Sequence, residues 1–195
     1  MKKQFITLSA AVLLAFSTKA QISKGDVMVG ANLSNINFAL DKPNAFSLTI
    51  NPKAAWFVED GLALGGDLSF GLEAPGKGLG TTINYGIGAL GRYYGSAGAD
   101  QLAKHTRFFG EATVGISGRN LAAGGSTNGL GFSFGPGFTY FVTKNIGLET
   151  LLKYNGVLGF GSSAYAHNLN LGIGFQIFLP GEKTARKVKN DFQQR

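Results

Sequence analysis

Between Gly129 and Gly156 the chain alternates with a period of two. Leu130, Phe132, Phe134, Pro136, Phe138, Tyr140 and Val142 are bulky or apolar, and Gly131, Ser133, Gly135, Gly137 and Thr139 between them are small or polar. A strand puts successive side chains on opposite faces, so this pattern builds a strand with one apolar face. The punctuation Val142-Thr143-Lys144-Asn145 follows. Alternation then resumes with Ile146, Leu148, Thr150, Leu152 and Tyr154 on one phase and Gly147, Glu149, Lys153 and Asn155 on the other. Two long strands joined by a tight turn predict a β-hairpin.

The same hairpin occurs earlier. Trp56-Phe57-Val58-Glu59-Asp60-Gly61-Leu62 matches Tyr140-Phe141-Val142-Thr143-Lys144-Asn145-Ile146 in its aromatic pair, its Val, its polar turn and its apolar restart, 84 residues apart. If that offset covers four strands, each strand with its connection takes about 21 residues, and the chain after Ala20 holds about eight, as in a small barrel. Eight alternating segments are found, at 26–34, 45–57, 62–72, 82–94, 107–118, 129–142, 146–158 and 167–179. Their connections are rich in Gly, Ser, Asn or Pro. The segments exceed the usual length of a soluble strand and match the roughly 9–11 residues that cross a bilayer at a tilt.

The two phases differ in charge. The apolar phase of all eight segments contains no charged residue, whereas the other carries Lys53, Asp67, Arg92, Arg107, Glu111, Glu149 and Lys153. A soluble sandwich turns its apolar phase inward and its charges to water, and a transmembrane barrel does the reverse. Three features favour the membrane. The first is Met1 to Ala20, which reads as a cleaved signal peptide: Lys2-Lys3, an apolar run from Phe5 to Phe16, then Ser17-Thr18-Lys19-Ala20. That run is too short to span a bilayer as a helix. The second is strand length. The third is the aromatics near segment ends, Trp56, Tyr93, Tyr140, Phe141, Tyr154 and Phe160, which fit interfacial girdles. The expected fold is therefore all-β, an eight-stranded antiparallel up-and-down transmembrane β-barrel over 21–180, with a short basic tail at 181–195. The alternative is a soluble secreted, lipocalin-like barrel.

Charge and composition narrow the functional classes. Of the net +7, the first twenty residues hold three lysines, and 181–195 holds five Lys/Arg against two Asp/Glu, which leaves +1 for 21–180. The body has no basic patch, so nucleic acid is not an expected partner. The chain has no Cys, so disulfides do not hold the fold. The 30 glycines lie mostly within alternating segments, where they suit a narrow lumen.

Arg92-Tyr93-Tyr94 ends the fourth segment, and Phe108-Phe109-Gly110-Glu111-Ala112-Thr113-Val114-Gly115 lies in the fifth. The last segment contains Asn170-Leu171-Gly172-Ile173-Gly174-Phe175-Gln176-Ile177. In these motifs, in their order on eight strands and in its leader, the chain resembles the small outer-membrane β-barrel proteins of Gram-negative bacteria, of the OmpA and OmpX types. The resemblance covers 21 to about 179. It implies the cell outer membrane as the location and outer-membrane lipid as the surroundings, with periplasmic chaperones and the barrel assembly machinery as partners during biogenesis. It also implies that Asn170, Gly172, Phe175 and Ile177 form the assembly signal. Members often end at the aromatic that closes the last strand, whereas here Gly181 to Arg195 follow. That tail is too short for a peptidoglycan-binding domain, so cell-wall anchoring is not implied. A monomer is expected.

Enzyme signatures are weak. Gly86-Ile87-Gly88-Ala89-Leu90-Gly91 matches GxGxxG but lies inside an alternating segment, not at the start of a helix. The run Gly71 to Gly78, GLEAPGKG, nearly matches a phosphate-binding loop but has Gly78 where Ser or Thr must bind magnesium. Only His105 and His167 are present, the latter near Ser162 and Ser163, and no His/Cys/carboxylate cluster has metal-ligand spacing. No catalytic, cofactor or metal site is expected. The expected function is a structural or adhesive role presented by the external loops. The competing readings are a small pore or transporter, against which a filled eight-stranded lumen argues, and an enzyme using His167. Chain ends and the turns at 58–61, 95–106 and 142–145 are expected on the periplasmic side. The seven inward charges are expected to converge in one layer and pair across the lumen.

Overall fold

The computed structural model describes residues 22–39, 45–76, 78, 80–95, 105–122, 124–160 and 165–181, with backbone alone at 165 and 166. The expected leader and the tail beyond Gly181 lie outside the described residues. Eight strands follow in order: β1 (Val27–Phe38), β2 (Phe46–Glu59), β3 (Leu62–Ala74), β4 (Thr82–Tyr94), β5 (Thr106–Asn120), β6 (Ser126–Phe141), β7 (Ile146–Gly159) and β8 (Tyr165–Leu179). Each pairs antiparallel with the next, and β8 pairs with β1 from Val27↔Leu179 to Ser34↔Gly172, so the sheet closes into a barrel. Closure pairs the first and last strands over these residues, and β8 runs on beyond the last β1 pair, from Gly172 back to Tyr165. The expected GxGxxG match at 86–91 lies wholly within β4, and Gly71 to Ala74 end β3.

The stagger follows from the register. A path from Ile177 through its successive partners Val29, Ala54, Gly66, Ala89, Val114, Phe132 and Gly156 returns to β8 at His167, ten residues away. Ten residues of offset over eight strands tilts them about 40° from the axis, the usual range for such barrels. At that tilt the 14 residues of β7 cover about 35 Å along the axis, more than the roughly 25 Å of an outer-membrane apolar band.

The phases separate as the sequence predicts. The apolar phase points outward and carries the exposed large hydrophobics, among them Leu64, Phe70, Val114, Leu152, Leu171 and Ile173. On β2, Trp56 and Phe46 bracket this band ten residues apart, about 25 Å along the axis. Trp56, Tyr93, Phe108 and Tyr140 form the outward rim at the end that carries the turn between β2 and β3. At the opposite rim Phe38 meets Phe46 edge to face at 6.1 Å, and Tyr85 lies across Gly118 to donate to Asn128 Oδ1 at 2.7 Å.

Two of the expected girdle residues are placed otherwise. Phe141 faces inward and is buried, because it is the next residue after outward Tyr140. Tyr154 is opposite Phe134 in the interior of the apolar band, with ring centroids 5.3 Å apart.

The strands also outrun several expected segments at the loop end. In β1 the alternation lapses because Asn35 takes a positive φ of 51° and the register with β2 shifts between Ser34 and Asn37. The bulge flips the phase, so Ile36 and Phe38 are exposed while Asn37 pairs with Ser47. Ser47 Oγ fastens the bulge by donating to the Asn35 carbonyl at 2.8 Å. At the other end, Asp60-Gly61 makes a two-residue turn in which Gly61 supplies φ 81°. The segments entering β1 and leaving β8 are tied there as well, at what is the chain-end side of the barrel: Gly25 N donates to the Phe57 carbonyl, and Gly181 N to Asp26 Oδ1 at 2.9 Å.

Candidate functional site in the barrel lumen

Two layers of inward side chains fill the half of the lumen nearest the chain ends. The outermost is aromatic. Tyr94 stands 6.0 Å from Phe57, 5.3 Å from Phe109 and 6.1 Å from Phe178, and Phe178 is 5.1 Å from Phe141. Ile22 packs against this cluster. Gly137 is opposite Phe109 on the neighbouring strand, and a Cβ there would run into the ring, so glycine makes room for the layer.

The charged layer lies directly above. Register brings one of its ion pairs together between adjacent strands, Arg92 with Glu111, and also sets Lys53 opposite Asp67. The others meet across the lumen. Arg92 uses every face of its guanidinium. Nε donates to Glu111 Oε2 at 2.9 Å, and Nη2 reaches the same oxygen. Nη1 donates to Glu149 Oε2 at 2.7 Å and Nη2 to Glu149 Oε1 at 3.1 Å. Nη1 also donates to Tyr94 Oη at 2.8 Å, and the guanidinium carbon sits 4.1 Å from the centre of the Phe109 ring. Lys53 Nζ donates to both oxygens of Glu111 at 2.9 Å. Asn32 Nδ2 and Gln176 Nε2 donate to Glu149 Oε1 at 2.7 and 2.9 Å.

The side chains of Arg92, Glu111 and Glu149 have no exposure. Removing such charges from water costs several kcal/mol each, and only close opposite charges with satisfied lone pairs offset that cost. The network meets the condition: Arg92 is a bidentate donor, and each carboxylate accepts from more than one side chain. Lys153 Nζ lies above, 3.1 Å from Glu111 Oε1 and 3.6 Å from Asp67 Oδ2. Three basic and three acidic groups thus sum to zero, and the layer presents no net charge to an ion.

Six of the seven inward charges expected from the sequence, Lys53, Asp67, Arg92, Glu111, Glu149 and Lys153, are brought together. Arg107 is not among them. It precedes Glu111 by four residues on β5, with the Phe109 ring between them on the same face, so it belongs to the chain-end rim. Sequence reasoning missed Asn32, Gln176 and Tyr94 as partners, and it missed Glu73 and Arg119, which pair at 2.8 Å at the loop end. It missed the aromatic layer too, although a signal was present. Trp56-Phe57, Tyr93-Tyr94, Phe108-Phe109 and Tyr140-Phe141 are doublets, and in each the second ring falls on the small and polar phase.

The histidines lie away from this layer. His167 is opposite Gly156 and 6.1 Å from the outward ring of Tyr154, while Ser162 and Ser163 lie outside the described residues. His105 precedes β5, 6.3 Å from Tyr140. Among the described residues no group of His, Cys, Asp and Glu is arranged to hold a metal ion.

No protein-family model and no curated protein sequence matches the chain. Among solved structures the barrel is similar to Neisserial surface protein A, with TM-score 0.55 and 17% identity over 78% of this chain and 95% of that one. It is also similar to the outer membrane protein OprG from Pseudomonas aeruginosa, with TM-score 0.50 and 12% identity over 83% and 99%. The fold is that of the small eight-stranded outer-membrane β-barrels. An outer-membrane barrel of this size has an interior just wide enough for side chains to fill, and here the two layers fill its chain-end half.

Proposed function

We propose that the chain is an integral protein of the cell outer membrane, exported by its leader, without enzymatic activity, and acting in a structural or adhesive role through its loop-end surface. The observation that carries this reading is the closed lumen. A dry, neutral charge layer backed by an aromatic layer is poorly suited to a pore, which needs a continuous hydrated path. The surface left to meet a partner is then the loop end. The apolar outward band between its two aromatic rims is suited to lipid. Asn170 and Gly172 on the inward face of β8, with Phe175 and Ile177 on its outward face, are the proposed assembly signal. The chain ends are proposed to face the periplasm, and the loops near 34–44, 73–81, 119–128 and 159–166 the outside.

Reconstitution in planar bilayers tests the closed lumen. Wild type should show no steady conductance above the lipid background, and a steady large conductance would replace this reading with a pore. Outer-membrane fractionation with heat-modifiable gel migration tests the location, and a soluble fraction without detergent would overturn it. Protease shaving of whole cells should cut a tag at Gly124 and spare one at Gly98.

A further inference from the structure

The loop-end half of the lumen is built differently from the sealed half. Inward residues of β2 pass from buried Phe57, Ala55 and Lys53 to partly exposed Asn51, Thr49 and Ser47. On β7 the same change falls between Leu151 and Lys153, and Asn155 beyond it is also partly exposed. The side chains of Lys153 and Asp67 keep 13% and 10% exposure, whereas those of Lys53 and Glu111 just below keep 1% and 0%. As far as Ser34↔Gly172, the last pair of the β1–β8 seam, inward side chains cannot reach solvent through the barrel wall. The chain-end side is closed by five rings and the buried network, so the exposed part of Lys153 and Asp67 faces the loop end.

Above that floor the walls carry only short side chains over several residues of each strand. Asn51, Ser69, Thr113, Asn155 and Asn170 line it, with Ser133 buried beside Thr113 and bonded to its hydroxyl, interspersed with inward glycines such as Gly86 and Gly88. A lumen of this diameter is filled only when its side chains are large, so these leave a cup. Its chemistry is one-sided as well. Amides and hydroxyls both donate and accept hydrogen bonds, and the floor ammonium is already balanced by Asp67 and Glu111.

We propose that this dead-end cup, entered only from the loop end and floored by Lys153 and Asp67, binds small neutral hydroxyl-rich solutes of the sugar or polyol class. The proposal rests on the outer-membrane barrel reading. A neutral wall of paired donors and acceptors matches hydroxyl groups, while the compensated floor gives a free ion no net attraction.

The native chain has no Cys, so single cysteines report access. With a membrane-impermeant cationic thiol reagent added outside cells, Ser69→Cys should label nearly as fast as a Gly124→Cys control, and Ala55→Cys at least about a hundredfold more slowly. Equal labelling of Ala55→Cys, or none of Ser69→Cys while Gly124→Cys reacts, overturns the cup. In lipid nanodiscs, glucose or sorbitol should shift the amide signals of Asn51 and Asn155 saturably, with Kd on the order of millimolar. Ser69→Phe, which fills the cup, should weaken binding at least about tenfold, and Asn155→Leu serves if the first variant does not fold. Absence of saturable shifts with both solutes, or saturation by choline or glutamate instead, overturns the ligand class. Heat-modifiable migration of each variant separates these failures from failure of the barrel reading itself.

Discussion

A charge placed on the outward face should cost stability according to its depth, and the register sets that depth. Leu152 and Leu171 are opposite each other in β7 and β8, both outward and exposed. Leu152 is near the middle of β7, which runs from Ile146 to Gly159. Leu148 is also outward, but it is opposite Tyr140 on the aromatic rim. The four residues between Leu148 and Leu152 correspond to about 10 Å along the axis at a tilt of about 40°. An Arg at the midplane of such a barrel costs about 2–4 kcal/mol, and one near the interface about 0–1 kcal/mol, because the long side chain reaches the headgroups. Leu152→Arg should therefore be destabilised by about 2–4 kcal/mol and Leu148→Arg by less than about 1 kcal/mol. Reversible urea titrations in lipid vesicles measure both. Trp56, the single tryptophan, lies on the outward rim and reports loss of the lipid environment. Equal costs for the two variants would refute the depth assignment, and no cost at Leu152 would refute a lipid-facing β7.

Other consequences follow from the lumen. Glu149→Gln conserves shape but leaves Arg92 with Glu111 as its remaining carboxylate, and breaking a dry pair costs about 3–5 kcal/mol, readable in the same titrations. Phe57→Ala should cost about 3–5 kcal/mol through the cavity left among the chain-end rings, with bilayer conductance unchanged because the charge layer still closes the lumen. Glu73→Gln removes the partner of Arg119 at the exposed loop end and should cost less than about 1 kcal/mol, shrinking further as salt is raised.

Strand number, the hairpins and the two faces were legible in the sequence because alternation is local. Each residue's phase is set by its neighbours, whichever strand lies alongside. The pairing of Arg92 with Glu111 is nearly local too, since a single strand connection separates them. The alternation failed at Asn35, where a left-handed backbone and one bulge reversed the phase. It also failed at the inward aromatics, since an aromatic doublet reads as apolar whichever face each ring takes.

What the tertiary structure alone decided is height. Closure of β1 on β8 and the stagger of ten residues put Arg92 beside Glu149, 57 residues away in the chain, and Lys53 beside Glu111, 58 residues away. The level of a side chain along the axis is the accumulated sum of eight register offsets. Each offset depends on hydrogen bonds between strands and on the lengths of the connections between them. The period of two carries no record of those quantities, so the sequence divides inside from outside while only the closed barrel sets which inward groups share a layer.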